Sequence, residues 1–270
     1  MAELKSFNHL KIHSQYSICE GAVKIDDLKD FSKENKIKSL GLCDTSNLCG
    51  ALEFAEKLSK IGTQPIIGTQ VNFKYGDTTG LLPLFALNET GYKRIIELSS
   101  LSYLTNDELS DPHLNFNELL DKNDGVALFS GTENGLFGKL FNIGKFAEIE
   151  NLYLKLKLKF KDRFYIEIQR HEDENEILFE EFNLTKSFKL QIPLIATNEV
   201  FYINKDMHEA HDALICIKNK TYINEKNRLK LTDQHYLKNN SEMSELFFDL
   251  PEALENNYYF PFRCSYRPLS

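Results

Sequence analysis

Six polar side chains stand where short apolar runs give way to turns: His13, Asp44, Gln70, Ser130, Glu167 and Glu199. An imidazole, three carboxylates, an amide and a hydroxyl brought to one edge could hold a cation or move a proton. Polar residues also end strands for plain turn chemistry, so position alone marks only a candidate rim. His208 and His211 lie three apart beside Asp206, Glu209 and Asp212. That spacing could present two ligands on one helix face, but it reads first as an ordinary polar helix opening after Asn204. The chain carries no Gly-x-Gly-x-x-Gly, P-loop or nucleophile elbow.

The segments that must position these residues alternate between short apolar runs and longer helical stretches. Strands are expected from Leu10 to His13, over 39–43, from Pro65 towards Gln70 and Phe73, and over 81–87, 126–129, 164–168 and 193–196. Helical stripes fall on Ile25, Leu28, Phe31 and Ser32, on Leu52, Ala55, Leu58 and Ile61, on Ile95, Leu98 and Leu101, and over 177–188. Thr45, Ser46 and Asn47 are cap types ahead of the second of these, and Gly62 closes it. Between Gly144 and Asp162 the pattern fits both a strand and a helix, and its unbroken length favours the helix. Such βα alternation predicts a parallel sheet, open or closed into a barrel, whose C-terminal strand ends form the functional rim.

Length and charge narrow the classes. The 270 residues suffice for one large α/β domain with an ample core. A net charge of −8 opposes non-specific binding to a phosphate backbone. Only six of the 32 basic residues are arginine, the side chain suited to bidentate phosphate or guanine contacts. Strong direct nucleic-acid binding is therefore not expected. The five cysteines show no CxxC spacing and read as free thiols of a reducing cytosol. With no secretory leader and no long apolar run, the expected location is cytoplasmic, without a membrane partner.

Particular segments add a resemblance. His9-Leu10-Lys11-Ile12-His13-Ser14 and Leu42-Cys43-Asp44-Thr45 are similar to the opening motifs of the PHP (polymerase and histidinol phosphatase) domain, in the version that begins DNA polymerase III alpha subunits. Pro65-Ile66-Ile67-Gly68, Asn88-Glu89-Thr90-Gly91, Phe164-Tyr165-Ile166-Glu167, Ala196-Thr197-Asn198-Glu199, Ala210-His211 and Leu250-Pro251-Glu252-Ala253 follow in the family's order. The resemblance implies a distorted (β/α)7 TIM-like barrel over residues 1–270, at the start of a longer polymerase, with the last residues leading towards the polymerase core.

The family's metal pocket maps onto Lys11 and His13 for a His-x-His pair, Glu20, Thr45 beside Asp44, Gln70, Leu81, Thr132, and Glu199 with Phe201 for a final Asp-x-His. Only His13, Glu20 and Glu199 keep a good donor there, and Gln70 offers a weak one. Multinuclear sites need several shared imidazoles and carboxylates, and an ammonium at Lys11 would repel the ions. The resemblance therefore implies a relict pocket with no metal, no cofactor of its own and no catalytic residue, in which Lys11 pairs with Glu20 or Glu199. Mg²⁺ belongs to the polymerase domain of the parent chain. The implied role is a scaffold contacting the polymerase domains of that chain and docking the proofreading exonuclease subunit. The alternative is a metal-dependent phosphoesterase or 3′–5′ proofreading nuclease.

Overall fold

The structure, a computed structural model, describes residues 6–106 and 110–269. Its first half runs β1 (Lys11–Ile12), α1 (Ile25–Glu34), β2 (Ser39–Thr45), α2 (Ala51–Lys60), β3 (Gln64–Tyr75), β4 (Thr78–Ala86), α3 (Glu89–Leu104), β5 (Leu114–Asn115), α4 (Phe116–Asp121) and β6 (Val126–Phe129). Then follow α5 (Leu136–Asn142), α6 (Phe146–Phe160), β7 (Phe164–Ile168), α7 (Glu174–Leu190), β8 (Leu194–Ala196), β9 (Glu199–Val200), α8 (His208–Asn219), α9 (Asn240–Leu246) and α10 (Pro251–Tyr259).

Local chemistry accounts for most of these elements. In α1, Ile25, Leu28 and Ser32 turn inward while Asp26 and Asp27 sit in the first turn, where the helix dipole favours negative charge. The ambiguous stretch after Gly144 is helix α6, with Ile149, Leu152, Tyr153, Leu156 and Phe160 on its buried face. Helix α2 departs from expectation. A turn closed by Ala51 N–H to Leu48 O delays its start, so Gly50 stands at the N-cap and Asn47 Oδ1 accepts from Cys49 N–H instead. The delay turns Phe54 inward beside Ala55 and Leu58 and leaves Leu52 exposed.

The sheet is mixed rather than wholly parallel. Its path is β2-β3-β4-β6-β7-β8, with β5 added alongside β3. Strand β4 runs antiparallel to both neighbours, and the other neighbouring pairs along the path are parallel. The cause is a hairpin between Tyr75 and Thr78, where Gly76 adopts a φ of +59° that glycine takes without steric cost. No crossover helix separates these two strands. The start of β4, not its end, therefore reaches the rim formed by the ends of the parallel strands.

The sheet curls until its ends meet. Strand β1 pairs in parallel with β9, placing Lys11 opposite Glu199 and Ile12 opposite Val200. On its other side, Gly41 N–H donates to His9 O at 2.7 Å. A distorted (β/α)7 barrel results, with β8 and β9 forming one interrupted stave. The inner floor takes Leu10, Cys43, Ile66, Phe85, Phe129, Tyr165 and Ile195 from successive staves and packs against Phe260. Two residues further along several strands, the same inward positions become polar, as in Tyr165 to Glu167 and Ile195 to Thr197.

Closure depends on backbone proximity at Gly41. A Cβ there would lie 2.4 Å from Leu10 O, a backbone atom that cannot swing away. Gly41→Ala should lower stability by about 1–3 kcal/mol or more, read as a lower midpoint of urea unfolding. An unchanged midpoint would mean that β1 and β2 separate without cost.

Candidate functional site

The site begins with a buried ammonium. Lys11, fully buried, places Nζ 3.4 Å from Glu167 Oε1 and 3.4 Å from Glu199 Oε1. It makes ion pairs at this distance rather than hydrogen bonds. Burial works against its charge, but Glu167 and Glu199 outweigh burial and raise the ammonium above the ordinary lysine range. Burial also opposes the charge of Glu199, yet Lys11 and His13 hold that carboxyl well below its usual value. Lys11 does not reach Glu20 as one of its expected partners; Glu20 pairs with Lys218 at the end of α8. Glu167, two residues above the barrel floor on β7, takes that place.

Above this layer opens a cavity of about 370 Å³. His13, Glu20, Thr45, Gln70, Leu81, Thr132, Glu199 and Phe201 all line it, while Lys11 and Asp44 lie buried beside it. The structure thus brings the mapped positions together, and Leu81 joins them because β4 is reversed. His13 Nε2 donates to Glu199 Oε1 at 2.9 Å, and Gln70 Nε2 donates to the same oxygen at 2.8 Å. Phe201 stacks on His13 with ring centroids 4.6 Å apart, filling space where the family would place an imidazole. Asp44 accepts from Ser14 N–H, Ser14 Oγ and Ser17 Oγ, so it braces the turn after β1. Burial raises its carboxyl and the two serines oppose that shift.

His208 and His211 do not act together. His208 Nε2 bonds Leu231 O and His211 Nε2 bonds Glu20 O, so each imidazole fastens a separate backbone segment.

The sequence reading missed a second group on the cavity wall: Glu133, His171, Asp173, Glu176 and His235. His171 Nδ1 donates to Glu176 Oε1 at 2.7 Å and its Nε2 accepts from Glu199 N–H at 3.2 Å. It stacks on His235 with centroids 4.1 Å apart. Burial lowers His171 to about 3 and pushes His235 well below its usual value. Burial raises Glu133 to about 8, with Glu176 and Glu199 adding to it, and raises Glu176 to about 7. Glu133 follows the mapped Thr132 and His171 lies just past β7, so strand-end logic could have found both. His235 sits in an irregular segment with no periodic signal.

The residues present do not fit a multinuclear metal centre. An ammonium stands between two of the inner carboxylates, and Thr45, Leu81 and Phe201 hold positions that would need imidazoles. His13 is spent on Glu199 and Glu20 on Lys218. Among the described residues, no group of three or more His, Cys, Asp or Glu side chains is arranged to hold a metal ion. The arrangement can neutralise buried charge and fix the strand ends.

Fold and site define a class: a curled βα barrel whose strand ends surround a polar pocket. The PHP domain signature matches residues 9–171, and the chain belongs to the PHP domain family. It is similar to the DNA polymerase III alpha subunit of Caulobacter vibrioides, at 36% identity over 98% of this chain and 24% of that protein. The corresponding subunit of Rickettsia bellii is 37% identical over 96% of this chain and 22% of its own length. That of Haemophilus influenzae is 32% identical over 98% and 23%. The chain thus spans about a quarter of the length of these relatives. A solved amidohydrolase from Chromobacterium violaceum, with bound sulfate and no metal, superposes with a TM-score of 0.49 at 10% identity, over 73% of this chain and 88% of its own.

Two outcomes follow from the charges. Lys11→Ala strands Glu167 and Glu199 without their shared cation and should cost about 3–5 kcal/mol, seen in chemical unfolding. An unchanged midpoint would show that the carboxylates are neutralised otherwise. Glu133 has a raised pKa in the fold, so the folded state keeps a proton that the unfolded chain has lost. Its contribution to stability therefore falls as pH rises from the usual carboxylate range to about 8. Glu133→Gln should gain stability relative to the parent across that window, and a constant difference between the two would contradict the assignment.

Proposed function

We propose that this PHP domain is a scaffold of a replicative DNA polymerase, carrying its own cation where other members of the family hold metal ions. The observation that carries the reading is the Lys11 ammonium buried between Glu167 and Glu199. Hydrolysis of a phosphoester in this fold would need ions to make hydroxide at neutral pH and to stabilise the leaving oxygen. Lys11 supplies charge for neutralisation, but from beneath the cavity and without an open ligand position. His13 donates through Nε2 to Glu199, which leaves only Nδ1, beside Ser17 Oγ and Thr45 Oγ1, as a base with no metal-bound water to act on.

Stability of the barrel and a surface for partners are then the properties the domain contributes. The partners proposed are the polymerase domains of the parent chain, where Mg²⁺ would serve nucleotide transfer, and the proofreading exonuclease subunit. Similarity to polymerase subunits over nearly the whole chain supports that setting, and the cytoplasm is its natural location. Among the described residues, no helix is long and apolar enough to cross a membrane.

Two assays bear on this reading. Purified protein with Mn²⁺ should release no nucleotide from a primer 3′ end, and release abolished by His13→Ala would establish the nuclease alternative. The cognate exonuclease subunit should bind the 270-residue protein, as read by calorimetry. Binding only to the full-length polymerase would remove docking from this domain.

A further inference from the structure

Helix α6 carries the segment in which leucine and lysine alternate, and on a helix that alternation puts leucine on two faces. Leu152 and Leu156 turn into the core with Ile149 and Phe160. Leu154 and Leu158 stand on the opposite side, at 41% and 78% exposure. Burial against the barrel needs only the first pair. The second pair belongs to a line of exposed residues, Ala147, Asn151, Leu154 and Leu158, that follow one another at heptad spacing. They form one seam along the outer pole of the helix, about 16 Å long.

Charge gives the seam its sign. Lys155, Lys157, Lys159 and Lys161 flank or follow it, and no acid lies between Asn151 and Asp162. The acids before and after are taken by other cations. Glu148 pairs with Lys145, Glu150 with Lys186 and Lys189, and Asp162 with Arg263. Lys157 donates to Leu190 O. Among the described residues, the exposed Lys155, Lys159 and Lys161 are left without a carboxylate partner, on a chain whose net charge is −8. An apolar seam edged by unpaired ammonium groups complements a helix that is apolar on one face and acidic beside it. Nucleic acid would use the lysines but set Leu154 and Leu158 against phosphate. Two leucines also offer little area to a lipid surface.

We propose that the outer face of α6 docks an acidic amphipathic helix of a partner protein. Apolar side chains of that helix cover Leu154 and Leu158, and its carboxylates reach Lys155, Lys159 and Lys161. Asn151, a polar residue within the seam, fixes the register of the pair. This docking rests on the scaffold reading, because it names the chemistry of one partner and the wall that partner covers.

The test is fluorescence-anisotropy titration of the 270-residue protein against a labelled peptide of about three heptads. The peptide carries leucine at the seam positions and glutamate beside them, which keeps it from pairing with itself. Its control has the same composition with the leucines dispersed around the helix. The heptad peptide should bind saturably, one to one, and the control at least about tenfold more weakly. Leu158→Ser and Lys155→Glu should each weaken binding roughly tenfold, whereas Leu178→Ser, on the exposed surface of α7, should not. No binding, equal affinity for the two peptides, or unaltered affinity in Leu158→Ser would overturn the proposal. Self-association of the protein, or its binding to phosphatidylglycerol vesicles, removed by Leu158→Ser would give the seam another occupant and overturn it too. Exonuclease binding to the unaltered protein is read in parallel. If it persists while the peptide fails, the α6 site is wrong and the scaffold reading stands; if it fails while the peptide binds, the exonuclease is lost as a partner and the α6 site stands.

Discussion

One buried positive charge organises the mouth of this barrel. The ladder between β1 and β9 sets Lys11 beside Glu199, and the inward alternation of β7 brings Glu167 to the same point. Two carboxylates in a dry interior repel each other strongly, and a cation between them offsets that repulsion. Lys11 supplies that cation from inside the chain. Because it also lies at the seam where the sheet closes, charge balance and barrel closure depend on the same residue.

The other positions mapped from the family's pocket are held by protein contacts one at a time. Glu199 gathers His13 and Gln70 as donors, and Phe201 fills the adjoining space by stacking on His13. Asp44 holds the turn after β1 through two serines, and Glu20 ties that turn to α8 through Lys218. Each of these polar groups finds a protein partner, which is how an interior tolerates them. Lys11 Nζ and Glu167 Oε2, buried beneath the cavity, make no hydrogen bond.

Much of the barrel was legible because its signals are local. Strand ends carried polar residues, helices showed apolar stripes, and the connecting motifs kept their order. The reversal of β4 was missed because alternation reports inward and outward faces, not strand direction; the absence of helical sequence around Gly76 was the available clue. The partner of Lys11 was half legible. Glu199 follows from the mapped motifs, whereas Glu167 meets Lys11 only after the sheet has closed, across more than half the chain. Of the two carboxylates expected as alternatives beside Lys11, Glu199 takes the place and Glu20 pairs with Lys218, which arrives from α8 by a docking that leaves no trace in the sequence of either segment. His235 joined the wall by the same long-range route.

The central claim is that a lysine holds the charge a metal would otherwise hold. The direct measurement is nuclear magnetic resonance of the Lys11 side chain in protein labelled with ¹⁵N-lysine, with Zn²⁺ and Mn²⁺ titrated in. The expected result is a protected ammonium signal for Lys11 that neither ion moves. Loss or displacement of that signal at stoichiometric metal, with a new ion held by Glu199 and His13, would contradict it.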